Sequence, residues 1–320
     1  MLDVVNLRVA FGDAPAVVDG VDITLRAGRI TCLVGESGSG KSLSALSLMR
    51  LLPTGARLTA DRFELDGESL TDADEKRMNG IRGNRMAMVF QEPMTALNPV
   101  MTVGDQITET LRLHKGMDRV QAHAAALEMF RQVQIPAPET RLAAYPHQLS
   151  GGMRQRVMIA MALVCRPAIL IADEPTTALD VTIQSQILRL INDLRSELGT
   201  AVLFITHNLA VVAEIADEVA VMYAGRVVER ASRADLFGDP MHPYALALFA
   251  AMPRADERGR PLAAIEGQVP TLGQMPAGCR FAPRCPFAIA RCGEDYPALR
   301  EIRAGHWVSC WRAPIEEHVA

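Results

Sequence analysis

The feature that most constrains the fold is a glycine-rich segment near the N-terminus, Gly35-Glu36-Ser37-Gly38-Ser39-Gly40-Lys41-Ser42. It fits the pattern G-x-x-x-x-G-K-[S/T] and lies between a predicted strand over residues 30–34 and a predicted helix over residues 42–52. Glycines allow the backbone to turn its N–H groups toward phosphate oxygens, and the helix N-terminus adds partial positive charge. This segment, called the phosphate loop below (residues 35–42), therefore predicts a nucleotide-binding α/β domain.

The surrounding pattern agrees with such a domain. Short apolar strands alternate with helices, which predicts an α/β core with a mostly parallel sheet. We expect strands near residues 86–90, 168–172, 201–205, 219–222 and 226–228, and helices near residues 150–165 and 183–198. Residues 92–165 are predicted to be nearly all helical and to form a subdomain. The composition changes near residue 238, and residues 253–276 are predicted to form an irregular linker.

Two acidic residues follow the apolar strand Ile169-Leu170-Ile171-Ala172. In a chain with a phosphate loop, Asp173 is suited to contact Mg²⁺. Glu174 would point elsewhere and could polarise an attacking water. In a chain without a phosphate loop, two acids after a strand would predict only the start of a connecting segment.

A second helix start also has the character of an anion site. Ser150 is a natural N-cap, and Gly151 and Gly152 would let a phosphate approach the helix backbone. Taken alone, these residues would predict no more than a capped helix.

Together these residues resemble the nucleotide-binding subunit of an ABC transporter, in the motif order of that family and over about residues 1–235. The segment Leu149 to Met153 resembles the signature motif, with Met153 where Gln is commoner. The further matches are Gln91 for the Q-loop, Asp173 and Glu174 for the Walker B acid and the catalytic glutamate, Asp180 for the D-loop, and His207 for the switch histidine. Phe11 stands where the family stacks an aromatic ring on adenine, although a core phenylalanine is nearly as well predicted there.

The resemblance implies a site for ATP and Mg²⁺ and assigns roles to its residues. Nucleotide contacts are implied for Phe11, Gly35, Ser37, Gly38, Ser39, Gly40, Lys41, Ser42 and Asp173. Contacts to Mg²⁺ are implied for Ser42, Gln91 and Asp173, and catalytic roles for Glu174, His207 and Gln91. Ser150, Gly151 and Gly152 are implied to act on ATP held by a partner subunit.

Further segments narrow the resemblance to the ATPases of oligopeptide/dipeptide importers. These are residues 91–99, residues 239–244 and a C-terminal group of four cysteines. The implied fold is a P-loop ATPase core with an antiparallel β-subdomain and a helical subdomain (about residues 92–165), followed by a small Cys-rich extension. The implied boundaries are residues 1–237 for the ATPase and residues 238–320 for the C-terminal extension.

The implied partners are a second ATP-binding subunit, often a different paralogue in this group, two transmembrane permease subunits, and an extracytoplasmic solute-binding protein reached through the permeases. No apolar run reaches the roughly 18 residues that span a bilayer, and the N-terminus lacks a basic signal-peptide region. We therefore expect a peripheral subunit on the cytoplasmic face of the inner or plasma membrane. The transported solute is not predicted, because specificity belongs to the binding protein and the permeases.

The cysteines fall into two groups. Cys32 and Cys165 lie in apolar segments and are expected to be buried free thiols. The other four, Cys279, Cys285, Cys292 and Cys310, follow C-x5-C-x6-C-x17-C, which lacks the C-x2–4-C pairs usual in zinc sites. A [4Fe–4S] cluster suits them at least as well, and the family resemblance also points to it. Zinc and the absence of any metal remain alternatives. His306 could replace one ligand, but a local hydrogen-bonding role is the better prediction for it.

Three arginines, Arg280, Arg284 and Arg291, lie beside these cysteines and could offset the negative charge of a cluster. The extension lies far along the chain from the phosphate loop. Its role is therefore expected to be structural, with effects on folding or assembly before nucleotide binding.

The alternative class of protein is a soluble ABC ATPase acting on DNA or ribosomes. A net charge of −4 gives no support for nucleic acid binding. The segment between Lys41 and Ser150 contains no long heptad run, and only one ATPase cassette is present. These observations favour the transporter interpretation.

Overall fold

A computed structural model describes residues 1–92, 96–176, 181–252 and 265–315. The chain folds into two compact units that are interleaved along the sequence. The first unit contains residues 1–2, 25–29 and 72–204, and the second contains residues 3–24, 30–71 and 205–320. The boundary predicted at residue 238 falls within the range of the second unit and stays a prediction.

The described part of the chain contains strands and helices in the following order. The strands are β1 (Leu2–Phe11), β2 (Val18–Leu25), β3 (Ile30–Val34), β4 (Ala56–Thr59), β5 (Arg62–Leu65), β6 (Glu68–Ser69), β7 (Met86–Val89), β8 (Ile169–Asp173), β9 (Ala201–Thr206), β10 (Glu218–Tyr223), β11 (Arg226–Ser232), β12 (Arg300–Arg303) and β13 (His306–Val308). The helices are α1 (Lys41–Leu48), α2 (Glu75–Ile81), α3 (Val103–Lys115), α4 (Arg119–Gln132), α5 (Pro138–Arg141), α6 (Gly151–Leu163), α7 (Val181–Leu198), α8 (Leu209–Ile215), α9 (Arg233–Gly238), α10 (Pro243–Ala250) and α11 (Ala290–Glu294). Short 3-10 turns cover Pro146–Gln148, Leu272–Gln274 and Ala282–Arg284.

The elements predicted around the motifs are confirmed. The strands predicted at residues 30–34, 86–90, 168–172 and 201–205 agree with β3, β7, β8 and β9 to within one residue at each end. Helix α1 ends at Leu48, earlier than the predicted residue 52. Arg50 adopts a left-handed backbone (φ 50°) and donates hydrogen bonds to the carbonyls of Leu70 and Thr71, which ends the helix.

The first unit contains the helices predicted between residues 92 and 165. Helices α3, α4 and α6 each begin at a side-chain cap, provided by Thr102, Asp118 and Ser150. Each cap oxygen accepts an N–H group that has no partner within the helix. The sequence therefore sets these helix starts locally. Within the described residues, no helix is long and apolar enough to cross a membrane.

The first unit also contains the parallel strand pair β7 and β8. Met86 pairs with Ile169, and Val89 pairs with Ala172. Every residue of both strands is buried. Because the two strands run in the same direction and in register, the residues that follow them emerge side by side at one edge of the sheet.

The second unit contains the phosphate loop and two groups of paired strands. One is an antiparallel sheet with the order β2-β1-β5-β6, in which β4 also pairs with β1. The other has the order β12-β13-β11-β10-β3, and its β10 and β3 are parallel, with Val221 opposite Val34. The phosphate loop starts directly after β3.

The C-terminal extension adds two strands to this second group, which the sequence did not predict. Strand β13 pairs antiparallel with β11, with Val308 opposite Glu229, and β12 pairs with β13. The two strands have only four and three residues, and three of the four residues of β12 are charged. They are therefore too short and too polar to produce a recognisable alternation of apolar residues.

A buried carboxylate attaches the extension to β11. Glu229 is fully buried and accepts the N–H groups of Met241 and His242, each at 2.8 Å. His306 Nε2 lies 2.7 Å from Glu229 Oε1, and this ring is also buried. The contact identifies His306 as a local hydrogen-bonding residue, which is the role predicted for it.

Replacing His306 by Phe is expected to destabilise the extension selectively. The ring volume is kept, but the buried carboxylate of Glu229 loses a hydrogen-bond partner, which costs about 2–3 kcal/mol. Both tryptophans of the chain, Trp307 and Trp311, lie in the extension, so their fluorescence during urea unfolding measures the loss.

The matched control is Arg303→Met in the same hairpin. Arg303 pairs with Asp239, and its side chain is 57% exposed, so removing this pair should cost less than about 1 kcal/mol. Equal losses in the two variants would contradict the role given to Glu229 and His306.

Candidate functional site

The phosphate loop is organised around the ammonium group of Lys41. Lys41 Nζ donates to the carbonyl oxygens of Gly35 (2.8 Å) and Glu36 (2.9 Å). The side chain is buried although it carries a charge, and these carbonyls compensate for its desolvation. Lys41 is also the first residue of α1, so the ammonium lies where the helix start and the loop meet. A phosphate chain placed on this loop would meet one full positive charge and the helix N-terminus together.

Only glycine fits at the first position of the loop. Gly35 has φ +154°, and a Cβ atom added to it would lie 2.1 Å from the carbonyl oxygen of Met222. Met222 belongs to β10, the parallel neighbour of β3, so its backbone cannot move without disturbing the strand pair. Gly38 has φ +79°, but nothing lies within 4 Å of an added Cβ. The sequence pattern requires glycine at position 35 but not at position 38, and the steric reason at Gly35 is tertiary.

The edge beyond β7 and β8 brings two predicted catalytic residues together. The Gln91 amide Nε2 donates to Glu174 Oε2 at 3.3 Å. Both residues follow paired strand ends, which explains a contact between positions 83 apart in the sequence. Asp173 is the last residue of β8 and is buried, whereas Glu174 is half-buried. The two neighbouring acids therefore have different surroundings, as their different predicted roles require.

The backbone at Glu174 has an unusual conformation that the sequence did not predict. Glu174 has φ +46°, in the left-handed region that residues other than glycine rarely adopt. Such a conformation costs on the order of 1 kcal/mol and persists only where the surrounding structure imposes it. Here it turns the chain sharply after β8. The carboxylate of Glu174 thereby reaches Gln91 instead of continuing the line of the strand.

The predicted signature residues form the exposed start of α6. Ser150 Oγ accepts the N–H of Met153 at 3.3 Å, which confirms the predicted N-cap. Ser150 and Gly151 are exposed, and a Cβ on Gly151 would meet nothing within 4 Å. At Gly152 an added Cβ would lie 3.2 Å from a methyl group of Ile183. The first turn of α6 therefore presents its backbone to the surface, where a phosphate could approach it.

The remaining predicted residues are placed as follows. His207 is exposed and follows β9 directly. On either side of it, the N–H of Asn208 donates to Thr206 Oγ1 at 3.0 Å. Phe11 is the last residue of β1 and is half-buried, so it is not a core phenylalanine. Asp180 lies outside the described residues.

The four C-terminal cysteines line one small cavity, called the thiol cavity below, with a volume of about 20 Å³. Its wall also includes Phe281, Phe287 and Trp311. Burial raises the pKa of the thiols of Cys279 and Cys310, and it raises the pKa of Cys285 to about 11. By contrast, Cys32 and Cys165 are buried elsewhere, as predicted. The fold thus brings the four cysteines, which are far apart in the sequence, to the wall of one apolar cavity.

Backbone N–H groups are directed at these sulfurs. The amide of Arg312 donates to Cys310 Sγ at 3.4 Å, and backbone hydrogen bonds from Phe281 and Phe287 reach Cys279 and Cys285. Across the described ranges, however, no group of three or more His, Cys, Asp or Glu side chains is arranged to hold a metal ion.

Two of the three arginines predicted to offset a cluster charge have carboxylate partners instead. Arg280 Nη2 donates to Asp19 Oδ2 at 2.6 Å, and Arg284 binds both carboxylate oxygens of Glu36. The guanidinium of Arg291 stacks on Trp311, with 3.6 Å to the ring centroid. Buried arginines require anionic partners, and Asp19 and Glu36 provide them. No pattern in the sequence indicated these long-range pairs.

Comparison with known proteins agrees with this geometry. Residues 18–177 match the ABC transporter family, and residues 228–292 match the oligopeptide/dipeptide transporter C-terminal region. The chain belongs to the ABC transporter family and carries, in addition, the C-terminal region typical of oligopeptide/dipeptide transporters.

Several curated relatives are similar over nearly their whole length. The chain is 52% identical to a probable peptide ABC transporter ATP-binding protein, y4tR of Sinorhizobium fredii, covering 98% of this chain and 95% of that protein. It is 48% identical to the oligopeptide transport ATP-binding protein OppD of Salmonella typhimurium, covering 99% and 95%. It is 49% identical to AppD of Bacillus subtilis, covering 97% and 96%. These names describe peptide transport and do not support a nucleic acid or ribosome ATPase.

Solved structures match the ATPase part. The dimeric ATP-binding cassette MJ0796, in a post-hydrolysis state with ADP and phosphate, has a TM-score of 0.63 and 27% identity over 73% of this chain and 99% of that one. The protein cbiO1 from Clostridium perfringens, part of the ABC transporter complex cbiONQ, has a TM-score of 0.64 and 25% identity over 74% of this chain and 90% of that one. The predicted ATPase fold is confirmed, and the chain is an ATPase of the ABC class.

The geometry of the phosphate loop leads to a prediction on stability. Gly35→Ala should lower the free energy of unfolding by several kcal/mol, because the new methyl group collides with the Met222 carbonyl. Gly38→Ala should cost only about 1 kcal/mol, the strain of a left-handed backbone. Thermal unfolding of both full-length variants without nucleotide measures the difference. A Gly35→Ala variant as stable as Gly38→Ala would refute the steric argument.

Proposed function

We propose that the chain is the ATP-hydrolysing subunit that powers import of peptides or related small solutes by a binding-protein-dependent ABC transporter. The observation that carries this proposal is the phosphate loop ordered around Lys41, in a chain that resembles peptide-import ATPases along nearly its whole length. Peptide transport is what the names of these relatives describe.

The proposed roles in nucleotide binding follow the family resemblance. Lys41 and the N–H groups of the phosphate loop bind the β- and γ-phosphates, and Phe11 stacks on adenine. Ser42, Gln91 and Asp173 hold Mg²⁺, for which hydroxyl, amide and carboxylate oxygens are suitable ligands. When bound, Mg²⁺ neutralises charge that develops on the phosphates.

Glu174 is proposed to act on the attacking water. Its carboxylate accepts a hydrogen bond from Gln91, which limits its rotation and orients it at the strand edge. A carboxylate held in this way can take the proton of a water as the oxygen approaches the γ-phosphate. His207, exposed after β9, is proposed to contact the γ-phosphate.

The exposed start of α6 is proposed to act on a partner's nucleotide. Ser150, Gly151 and Gly152 would bind the γ-phosphate of ATP held by a second ATP-binding subunit. The open surface at Gly151 supports this role, because a helix N-terminus can bind only an anion that can reach it. The second subunit can be a copy of this chain or a different paralogue.

The other proposed partners are two transmembrane permease subunits, and through them an extracytoplasmic solute-binding protein. The chain would then lie at the cytoplasmic face of the membrane as a peripheral subunit. The resemblance to the oligopeptide/dipeptide transporter C-terminal region supports this arrangement.

Glu174→Gln tests the proposed reaction. The amide keeps the side-chain shape but cannot accept the proton of water, so ATP hydrolysis at this site should fall about 100-fold or more. ATP binding should persist, and the closed dimer should accumulate in size-exclusion chromatography with MgATP. The assay uses the assembled transporter with the partner's hydrolytic site inactivated.

Glu197→Gln is the control, because Glu197 is an exposed acid on α7 in the same unit. It should leave hydrolysis unchanged. Normal hydrolysis by the Glu174→Gln transporter would rule out the role of Glu174, and failure of Lys41→Ala to weaken ATP binding would rule out the ATP site itself.

We also propose that Cys279, Cys285, Cys292 and Cys310 hold a [4Fe–4S] cluster, with zinc as the alternative. A tetrahedral zinc draws four sulfurs to within about 4 Å of one another, because Zn–S bonds are about 2.3 Å. A cubane cluster leaves its ligands farther apart, since each sulfur binds a different iron. The proposal is supported by the four thiols that line one cavity and by backbone N–H groups directed at sulfur, which are typical of iron–sulfur centres. The cluster would secure the extension.

Anaerobically purified protein should then be brown and contain about four irons per chain. Cys285→Ser should remove the colour and the iron, whereas Cys165→Ala, which changes a buried thiol elsewhere, should keep both. Visible absorption and metal analysis measure the outcome. A colourless wild-type chain with one zinc would decide for the alternative.

A further inference from the structure

The C-terminal extension contacts the phosphate loop directly, although the two are far apart in the sequence. Arg284 Nη1 donates to Glu36 Oε2 at 2.8 Å, and Arg284 Nη2 donates to Glu36 Oε1 at 3.1 Å. Glu36 is the second residue of the phosphate loop, and 248 positions separate it from Arg284. Paired contacts of this kind fix the orientation of both planar groups.

The arginine is itself firmly held. Its side chain is only 5% exposed, and it stands in the turn Ala282–Arg284, directly before Cys285. The Nε group donates to the carbonyl of Glu266 at 2.8 Å, and Nη2 donates to the carbonyl of Ile265 at 3.0 Å. A guanidinium held by these backbone acceptors can act as a fixed support for Glu36.

Glu36 transmits this support to the groups that surround the phosphate position. Its carbonyl accepts from Lys41 Nζ at 2.9 Å and from the N–H of Ser39 at 3.2 Å. Its own N–H donates to the hydroxyl of Tyr244 at 2.8 Å. Side chain, amide and carbonyl of one loop residue are therefore all engaged. A rotation of Glu36 would displace the carbonyl that positions the Lys41 ammonium.

The layer behind Glu36 is a packed aromatic group that continues to the thiol cavity. Tyr223 and Tyr244 lie 4.7 Å apart between ring centroids, and Phe281 packs on them at 5.1 Å and 5.4 Å. Phe281 also forms part of the wall of the thiol cavity. The support for the loop is therefore part of the folded extension and not a mobile side chain.

We propose that Arg284 is a positioning residue of the ATP site, which sets the affinity of the phosphate loop for nucleotide by holding Glu36. The C-terminal extension thereby becomes part of the nucleotide-binding machinery of its own chain. This inference rests on the proposed ATP site. It also changes the expectation from sequence, since loss of order at Cys285 would reach the phosphate loop through the neighbouring arginine.

The test compares ATP affinity with stability in the full-length chain. Arg284→Met removes the charge and keeps much of the side-chain length, and the dissociation constant for MgATP should rise about tenfold, the effect of losing a hydrogen-bonded charge pair. Glu36→Gln approaches the same contact from the loop and should have a similar effect. Because the two residues act through one contact, the dissociation constant of the double variant for MgATP should be no higher than that of either single variant. Arg284→Lys should recover part of the affinity.

Arg303→Met is the control, because it removes an exposed ion pair from the same extension without a contact to the loop. It should leave the dissociation constant within twofold of wild type. Thermal unfolding without nucleotide identifies any variant that is unfolded. If Arg284→Met does not fold, the dissociation constant of Glu36→Gln provides the test.

Two outcomes would overturn the proposal. In one, Arg284→Met and Glu36→Gln lower the unfolding temperature but leave the dissociation constant within twofold of wild type. In the other, the effects of the two single changes add in the double variant. Lys41→Ala separates these outcomes from failure of the ATP site itself, because only in the latter case would Lys41→Ala also leave ATP binding unchanged.

Discussion

The close approach of the phosphate loop to β10 is the constraint on which the second unit depends. Parallel pairing of β3 with β10 brings the carbonyl of Met222 against Gly35, so that no side chain fits there. The loop then turns back on itself, and Lys41 donates to the carbonyls of its first two residues. A site that binds a highly charged ligand gains from such preorganisation, because the loop does not have to be ordered during binding.

Buried charge explains how the extension is joined to this unit. Asp19 is nearly inaccessible, and its Oδ2 accepts from Arg226 and Arg280, both at 2.6 Å. Glu229 accepts two backbone amides and contacts His306. Because removing one partner from such a group is far more costly than removing an exposed ion pair, these contacts fix where the extension lies. Its two short strands could not provide this specificity by apolar burial alone.

In the first unit, the geometry at the end of β8 results from strand pairing, which requires no strain, and from a strained backbone at Glu174. Pairing of β7 with β8 brings Gln91 and Glu174 to one edge as a consequence of strand direction. The left-handed backbone at Glu174 is strained and requires support from its surroundings. Strain at a residue with a proposed catalytic role is consistent with a carboxylate that must point away from its buried neighbour, Asp173.

Local sequence determined the motifs and the elements that carry them. The glycines and lysine of the phosphate loop, the apolar run of β8 with its two acids, and the Ser150 cap all act within a few residues, so their patterns can be recognised without a fold. Tertiary structure alone decided the partners of the charges. Arg284 has no feature that directs it to Glu36 rather than to a metal cluster beside Cys285, and β12 and β13 are too short to show a strand pattern. The physical reason is that a long-range ion pair depends on which surfaces folding brings together. The residues next to either partner in the sequence do not indicate which surfaces these are.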